Sequence, residues 1–288
     1  MSMASVASRM VFSTVSIGMC ACSTSRSVMA RVYLVERVCN AIICTMQARW
    51  AIVGGSGIGG LLEGLAGRPV HIPTPLGMQR GREIELGSER VLVVSRHSLG
   101  HKTPPHRVNF AAIAWAIRSA GIRHVLATAA VGSLRVDWRP KTLALCTDFI
   151  DASGRNLTLF DTRVEHVPFG SPFHEGLNER ILEAAGKERL AIEPKAIYVN
   201  ANGPRYETPA EIEMYRRWGG DVVGMTAGSE AVCMGEAGLS YACLAFVSNL
   251  GCGLVEADPN HAEVLEVAHE VGPTILALFQ RVIERGSP

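Results

Sequence analysis

The residues best equipped for chemistry in this chain stand at the ends of short apolar runs. Arg96-His97 follows Val91 to Ser95 and sets a guanidinium fork beside an imidazole at the mouth of any crevice there. Such a fork matches phosphate oxygens two at a time, so the pair suits an oxyanion. Gly54-Gly55-Ser56-Gly57-Ile58-Gly59-Gly60 is a glycine-rich turn after another run. It contains the dinucleotide-binding spacing at Gly55, Gly57 and Gly60, but no acid lies between Glu63 and Glu83 to hold a ribose, which weighs against that reading. Two readings stay open: a loop whose N–H groups and Ser56 hydroxyl contact one phosphate, or a tight turn alone. Tyr206-Glu207 pairs an aromatic ring with an acceptor-only carboxylate, and Met225-Thr226 and Asn249 close two further runs. His101 and His106 read as loop or capping residues, because their spacing fits no metal site.

These positions fall into order if the runs are strands. From Ala48 onward, β-rich runs at 51–53, 91–95, 124–130, 143–150, 196–200, 221–225 and 240–248 alternate with helical patterns, the signature of an α/β sheet. Val108 to Ala120 carries apolar residues at helical spacing and stops at Gly121. Thr208-Pro209 begins a second helix with a capping hydroxyl and a first-turn proline. Asn260 begins a third that runs towards Arg285, with Glu263 placed to reach back. In open α/β sheets ligands bind where strands end, and six strand ends here carry the polar residues named above or the Ala129-Ala130 pair. No repeat or low-complexity linker interrupts the stretch, so one domain is expected.

Composition narrows the class. The 288 residues hold 28 basic and 27 acidic side chains, a formal net charge of +1, which argues against a nucleic-acid partner or a polybasic membrane binder. Hydrophobic types reach 48% and charged types 19%, enough apolar material for a large core, and no apolar run approaches the ~20 residues of a membrane span. The eight cysteines lack paired metal-ligand spacing and read as reduced cytosolic thiols, with no metal expected. Residues 1–45 contain eight serines, four arginines and a single acid, Glu36, without a sustained period. They read as an unstructured leader: a start placed too early, since Met46 is followed at once by a strand, or a targeting segment.

The most specific stretch is Asn202-Gly203-Pro204-Arg205-Tyr206-Glu207-Thr208-Pro209-Ala210-Glu211, followed by Gly224-Met225-Thr226 and Glu230-Ala231. With these motifs, nearly all of residues 48–285 resembles the trimeric purine nucleoside phosphorylase and methylthioadenosine phosphorylase family. The resemblance implies a three-layer α/β/α fold with a mixed central sheet over residues 46–288. It also implies phosphorolysis, in which inorganic phosphate attacks C1′ of a purine nucleoside and releases free base and pentose 1-phosphate. No metal or organic cofactor is then expected, with phosphate as co-substrate in a cytoplasmic homotrimer of purine salvage. Matched by position, the family pattern places phosphate against Ser56, Arg96, His97, the backbone of Ala129 and Ala130, and Thr226. Ala129 departs from the threonine of the methylthioadenosine branch. Tyr206 would lie against the base and Met225 against the sugar, while His166 resembles a histidine that reaches over a neighbouring subunit's 5′ site.

Hydrogen-bonding chemistry then selects the base. Glu207 can accept from N1–H of a 6-oxopurine, whereas the unprotonated N1 of adenine would face it lone pair to lone pair. Asn249 can donate to O6 and accept from a protonated N7. The methylthioadenosine enzymes carry serine, aspartate and aspartate where this chain has Glu207, Asn249 and Gly251. His261 resembles the purine-branch histidine that hydrogen-bonds the 5′-hydroxyl. The expected substrates are therefore inosine and guanosine, with S-methyl-5′-thioinosine or S-methyl-5′-thioadenosine as the alternative. Asn249, Glu207 and His97 are the candidate catalytic residues; the first two would steady the departing purine anion, and phosphate the oxocarbenium, by position and electrostatics.

Overall fold

Strand β1 (Trp50–Gly54) is buried along its whole length and pairs in parallel with β4 (Glu89–Ser95) on one side and β5 (His124–Ser133) on the other. A strand covered on both faces needs apolar residues at every position, which is why Trp-Ala-Ile-Val shows no alternation. The computed structural model describes residues 46–98, 100, 102–256 and 259–286. The leader expected over 1–45, with Cys20, Cys22, Cys39 and Cys44, and His101 lie outside the described residues.

Nine strands form one mixed sheet in the order β2-β3-β4-β1-β5-β8-β7-β6-β9, and β9 also pairs with β5, so the half beyond β5 closes on itself. The remaining strands are β2 (Gly67–Thr74), β3 (Gly77–Leu86), β6 (Leu143–Asp151), β7 (Glu193–Asn200), β8 (Val222–Gly224) and β9 (Ser240–Leu250). Helices α1 (Ile58–Gly64), α3 (Glu175–Lys187) and α6 (His261–Glu284) pack with Trp50, Ile52, Leu126 and Leu244 on one face. Helices α2 (Phe110–Ser119) and α5 (Ala227–Glu236) pack with Ala51, Val53, Val125 and Cys243 on the other. A smaller cluster, Leu134, Val199, Ile212, Tyr215 and Val223, seats α4 (Pro209–Arg217) at the sheet's end. The three-layer α/β/α architecture is the one expected, each buried aliphatic side chain adding about 1.5–3 kcal/mol of driving force.

Two differences from the sequence reading stand out. The hairpin β2–β3 was not among the expected strands: its turn-rich, charged sequence pairs antiparallel from Gly67↔Ile84 to Thr74↔Gly77, with backbone pairing overriding weak side-chain patterning. Helix α2 starts at Phe110, not Val108, because the Asn109 side chain accepts from the N–H of Ala112 and caps it there. The other two expected starts hold. Thr208 and Glu211 form a reciprocal capping box on α4, and Asn260 caps α6 through the N–H of Glu263.

Candidate active site

A cavity of about 380 Å³ opens where β1, β5, β8 and β9 end. Its wall includes Ser56, Arg96, His97, Ala130, Tyr206, Glu207, Met225, Thr226, Asn249 and His261. Of the expected site residues, only Ala129 and His166 do not line it. Ala129 is buried inside β5 opposite Ala245, one residue short of the rim, and His166 is exposed on the long connection between β6 and α3.

The glycine turn is explained by close packing. A Cβ on Gly55 would stand 2.5 Å from Nη1 of Arg96, and one on Gly57, whose φ is +76°, would strike the Ala268 methyl on α6. The turn thus lets Arg96 lie against the end of β1, and it leaves Ser56 at the cavity wall. These contacts account for Gly55 and Gly57, whereas a Cβ at Gly60, the third glycine of the spacing, would meet nothing within 4 Å.

Arg96 corrects one expectation. Its fork does not stand open at the crevice mouth: the side chain is 1% exposed, with Nε and Nη2 donating to the Glu230 carboxylate at 2.7 and 2.8 Å and Nη1 to the Thr128 carbonyl at 3.1 Å. One hydrogen on each Nη remains, so any oxyanion meets Arg96 from a different side than the bidentate face. Burial opposes the cation, but the charge and hydrogen bonds of Glu230 outweigh it and hold the Arg96 pKa above its usual value. Glu230 also accepts from the Tyr241 hydroxyl at 2.9 Å and is fully buried. Nothing in the residue pattern gave Glu230 this role; the available signal was a lone carboxylate on the apolar face of α5. Next to Arg96, His97 donates from Nδ1 to the Thr103 carbonyl at 2.8 Å, since a carbonyl can only accept, and this pins the ring.

The Gly-Pro-Arg-Tyr-Glu-Thr-Pro-Ala-Glu stretch is a clamp that presents two of its members. Arg205 makes a two-pronged pair with Glu211, both contacts at 2.8 Å, and Glu211 also accepts from the N–H of Thr208. Arg205 and that N–H hold the Glu211 pKa down at about 2. Between these anchors Tyr206 and Glu207 face the cavity. Glu207 is 9% exposed and, among the described residues, its carboxylate takes a hydrogen bond only from its own backbone, so burial raises its pKa.

Arg155, absent from the sequence expectations, ties this clamp to the strand end beside it. It donates to the Asn202 side chain at 3.0 Å and carbonyl at 2.6 Å, to the Met225 carbonyl at 3.0 Å and to the Ser229 hydroxyl at 2.7 Å. A single arginine in a polar loop carries no signal that could have found it. At the same corner the Tyr198 hydroxyl accepts from the N–H groups of Thr226 and Ala227 at the start of α5. That contact requires Gly224, where a Cβ would collide with the Tyr198 hydroxyl.

Asn249 follows the bulge between Val131 and Gly132, which re-aims the end of β9. Its Nδ2 donates to the Leu250 carbonyl at 2.9 Å, which fixes the amide orientation, and Oδ1 lies 2.8 Å from the Ser248 hydroxyl. One Nδ2 hydrogen and one Oδ1 lone pair remain uncommitted among the described residues. At Gly251, where an aspartate would mark the other branch of the resembled family, the Ile212 side chain occupies the space, 2.9 Å from where a Cβ would stand. Among the described residues no cluster of three or more metal-ligating side chains occurs, and no helix is long and apolar enough to cross a membrane.

The family model described as the phosphorylase superfamily matches residues 49–284. A protein of Methanopyrus kandleri named a probable S-methyl-5′-thioinosine phosphorylase is 37% identical over 235 residues, 81% of this chain and 91% of its own length. The 6-oxopurine nucleoside phosphorylase of Pyrococcus furiosus is 34% identical over 244 residues, 82% of this chain and 92% of its own. Among solved structures, methylthioadenosine phosphorylase from Schistosoma mansoni in complex with adenine superposes with a TM-score of 0.75 at 28% identity, covering 83% of this chain and 92% of that one.

Proposed function

The chain belongs to the phosphorylase superfamily, and from that premise we propose that it cleaves 6-oxopurine nucleosides, inosine and guanosine, to free base and ribose 1-phosphate. The observation that carries the reading is that Glu207 and Asn249 meet in one cavity with complementary vacancies: an acceptor-only carboxylate, and an amide with one donor and one acceptor left. N1–H, O6 and a protonated N7 of a 6-oxopurine fill that set. A 6-aminopurine leaves the carboxylate facing a lone pair. Ile212 against Gly251 removes the room in which an aspartate could accept from a 6-amino group.

The phosphate co-substrate is assigned to Ser56, His97, Thr226 and the Ala130 backbone, with the two Nη hydrogens of Arg96 not used by Glu230 and Thr128, while Ala129 backs this group from inside β5. A phosphate oxygen bonds to C1′ as the C1′–N9 bond breaks, and the electron pair moves into the purine. Asn249 and Glu207 stabilise the resulting anion as N7 takes a proton. Tyr206 packs on the base, Met225 on the ribose, and His261 at the rim reaches the 5′ end. His166 lies outside its own cavity and is exposed, which fits a role over a neighbour's 5′ site in a homotrimer. Phosphate supplies the nucleophile, so the reading assigns no cofactor. The thiols of Cys146, Cys233, Cys243 and Cys252 are buried and form no disulfide with one another, which fits a cytoplasmic setting.

S-methyl-5′-thioinosine is the second reading, because relatives of both names match at similar identity and its base presents the same edge. The two differ only at the 5′ end, beside His261. Release of hypoxanthine from inosine and from methylthioinosine, each with and without phosphate, tests the proposal. Release that requires phosphate is expected, and release that proceeds equally without it points to hydrolysis.

A further inference from the structure

A second and larger cavity, about 680 Å³, lies beside the first. Pairing of β3 with β4 ends at Arg82↔Val93, whereas pairing of β3 with β2 continues to Thr74↔Gly77, so the hairpin tip leaves the sheet and opens a wedge against the end of β4 and the loop before α2. Arg80, Arg82, Lys102, Arg107 and His71 line this wedge against one carboxylate, Glu63. Among the described residues, none of these four lysine and arginine side chains has a carboxylate partner, although most of the other arginines do. Arg82 spends one Nη2 hydrogen on the Gly67 carbonyl at 2.9 Å, and its Nε is buried with no partner among the described residues. A buried, unsatisfied guanidinium N–H is costly, and an oxyanion is its natural complement. Four cations against one carboxylate in one concave site, on a chain of net charge +1, exceed what one inorganic phosphate neutralises.

We propose that this wedge is a binding site for a polyphosphate chain, separate from the catalytic cavity, with Arg80 and Arg82 as its principal contacts. Apolar side chains of Met78 and Ile113 also line it, which suits a ligand with an organic body, and the volume lies in the range of small-molecule sites. The polyphosphate could be borne by a nucleotide or be free, and the two sources separate by experiment. The two cavities share Arg96, Lys102 and Thr103, so the decisive binding measurements use the full chain with the catalytic cavity filled by saturating inorganic phosphate and hypoxanthine.

Titration calorimetry with tripolyphosphate and with ATP, on wild type, Arg80→Ala, Arg82→Ala and the double variant, tests the site. One polyanion per chain is expected to bind wild type despite the filled catalytic cavity. Its affinity should fall at least about tenfold in each single variant, the scale of a lost charge-assisted contact, and also fall with added salt. Inosine phosphorolysis by the same variants should stay at the wild-type rate, which keeps this result independent of the proposed activity. Binding of both ligands assigns the site to the phosphate chain alone, and binding of ATP only adds a nucleoside contact. Absence of binding, binding abolished by saturating phosphate, or affinity unchanged in the double variant overturns the proposal.

Discussion

Replacing Glu230 by glutamine probes the buried pair on which the phosphate end of the cavity is built. The substitution keeps the shape but removes the charge facing Arg96 at 2.7 and 2.8 Å and turns an N–H₂ group towards a guanidinium that cannot lose its proton. The Tyr241 hydroxyl, 2.9 Å from the same carboxylate, loses its charged acceptor as well. Breaking one side of a fully buried ion pair costs about 3–5 kcal/mol. For a folded unit of this size each kcal/mol corresponds to roughly 2–4 °C, so Tm should fall by about 6–20 °C in thermal denaturation. Two companions sharpen the test. The double variant Arg96→Met, Glu230→Leu should recover part of the lost stability, since it leaves no orphaned charge, yet show little phosphorolysis. Added phosphate should raise the Tm of Glu230→Gln more than that of the double variant, because the freed fork can then hold an oxyanion. A Tm within about 2 °C of wild type for Glu230→Gln would refute the reasoning, because so small a change means the pair contributes under ~1 kcal/mol.

Glu207→Gln should raise stability by about 1 kcal/mol in urea denaturation while reducing inosine turnover, the pattern of a residue strained for function. The sign follows from its raised pKa. Below the ordinary carboxyl range the group is neutral in both states; as pH rises, the unfolded chain ionises first, and the folded state carries a penalty that persists at higher pH. Stability profiles of wild type and variant should therefore converge at low pH. Adenosine cleavage relative to inosine should rise as pH falls through the raised Glu207 pKa, because a protonated carboxyl can donate to N1 of adenine; a flat ratio would contradict this. Arg155→Met removes four hydrogen bonds that join the 202–207 segment to Met225 and Ser229, and should raise the nucleoside KM about tenfold or more with little change in the phosphate KM. Asn249→Asp should weaken inosine turnover and improve that of adenosine, as read from steady-state kinetics of both.

The sequence carried the architecture and most of the cavity wall because both rest on local signals. Strand ends, the capping Thr208 and Asn260, and the Tyr206-Glu207 pair are fixed by neighbours within a few residues. What escaped depends on contacts between distant segments. Glu230 meets Arg96 across 134 positions, and Arg155 reaches Asn202 and Ser229 across 47 and 74. The glycine turn, which invited a ligand reading, is explained first by the approach of Arg96 and α6. The β2–β3 hairpin, lacking strand-like patterning, hid the second cavity altogether.

The most direct test of the account is the ratio of kcat/KM for inosine to that for adenosine, at neutral pH and saturating phosphate. With the Glu207 carboxyl and the Asn249 amide, oriented by Leu250, on one purine edge, the account predicts a preference for inosine on the order of 10⁴, the discrimination that an unmatched buried polar edge can supply. A ratio near one, or a preference for adenosine, would contradict it.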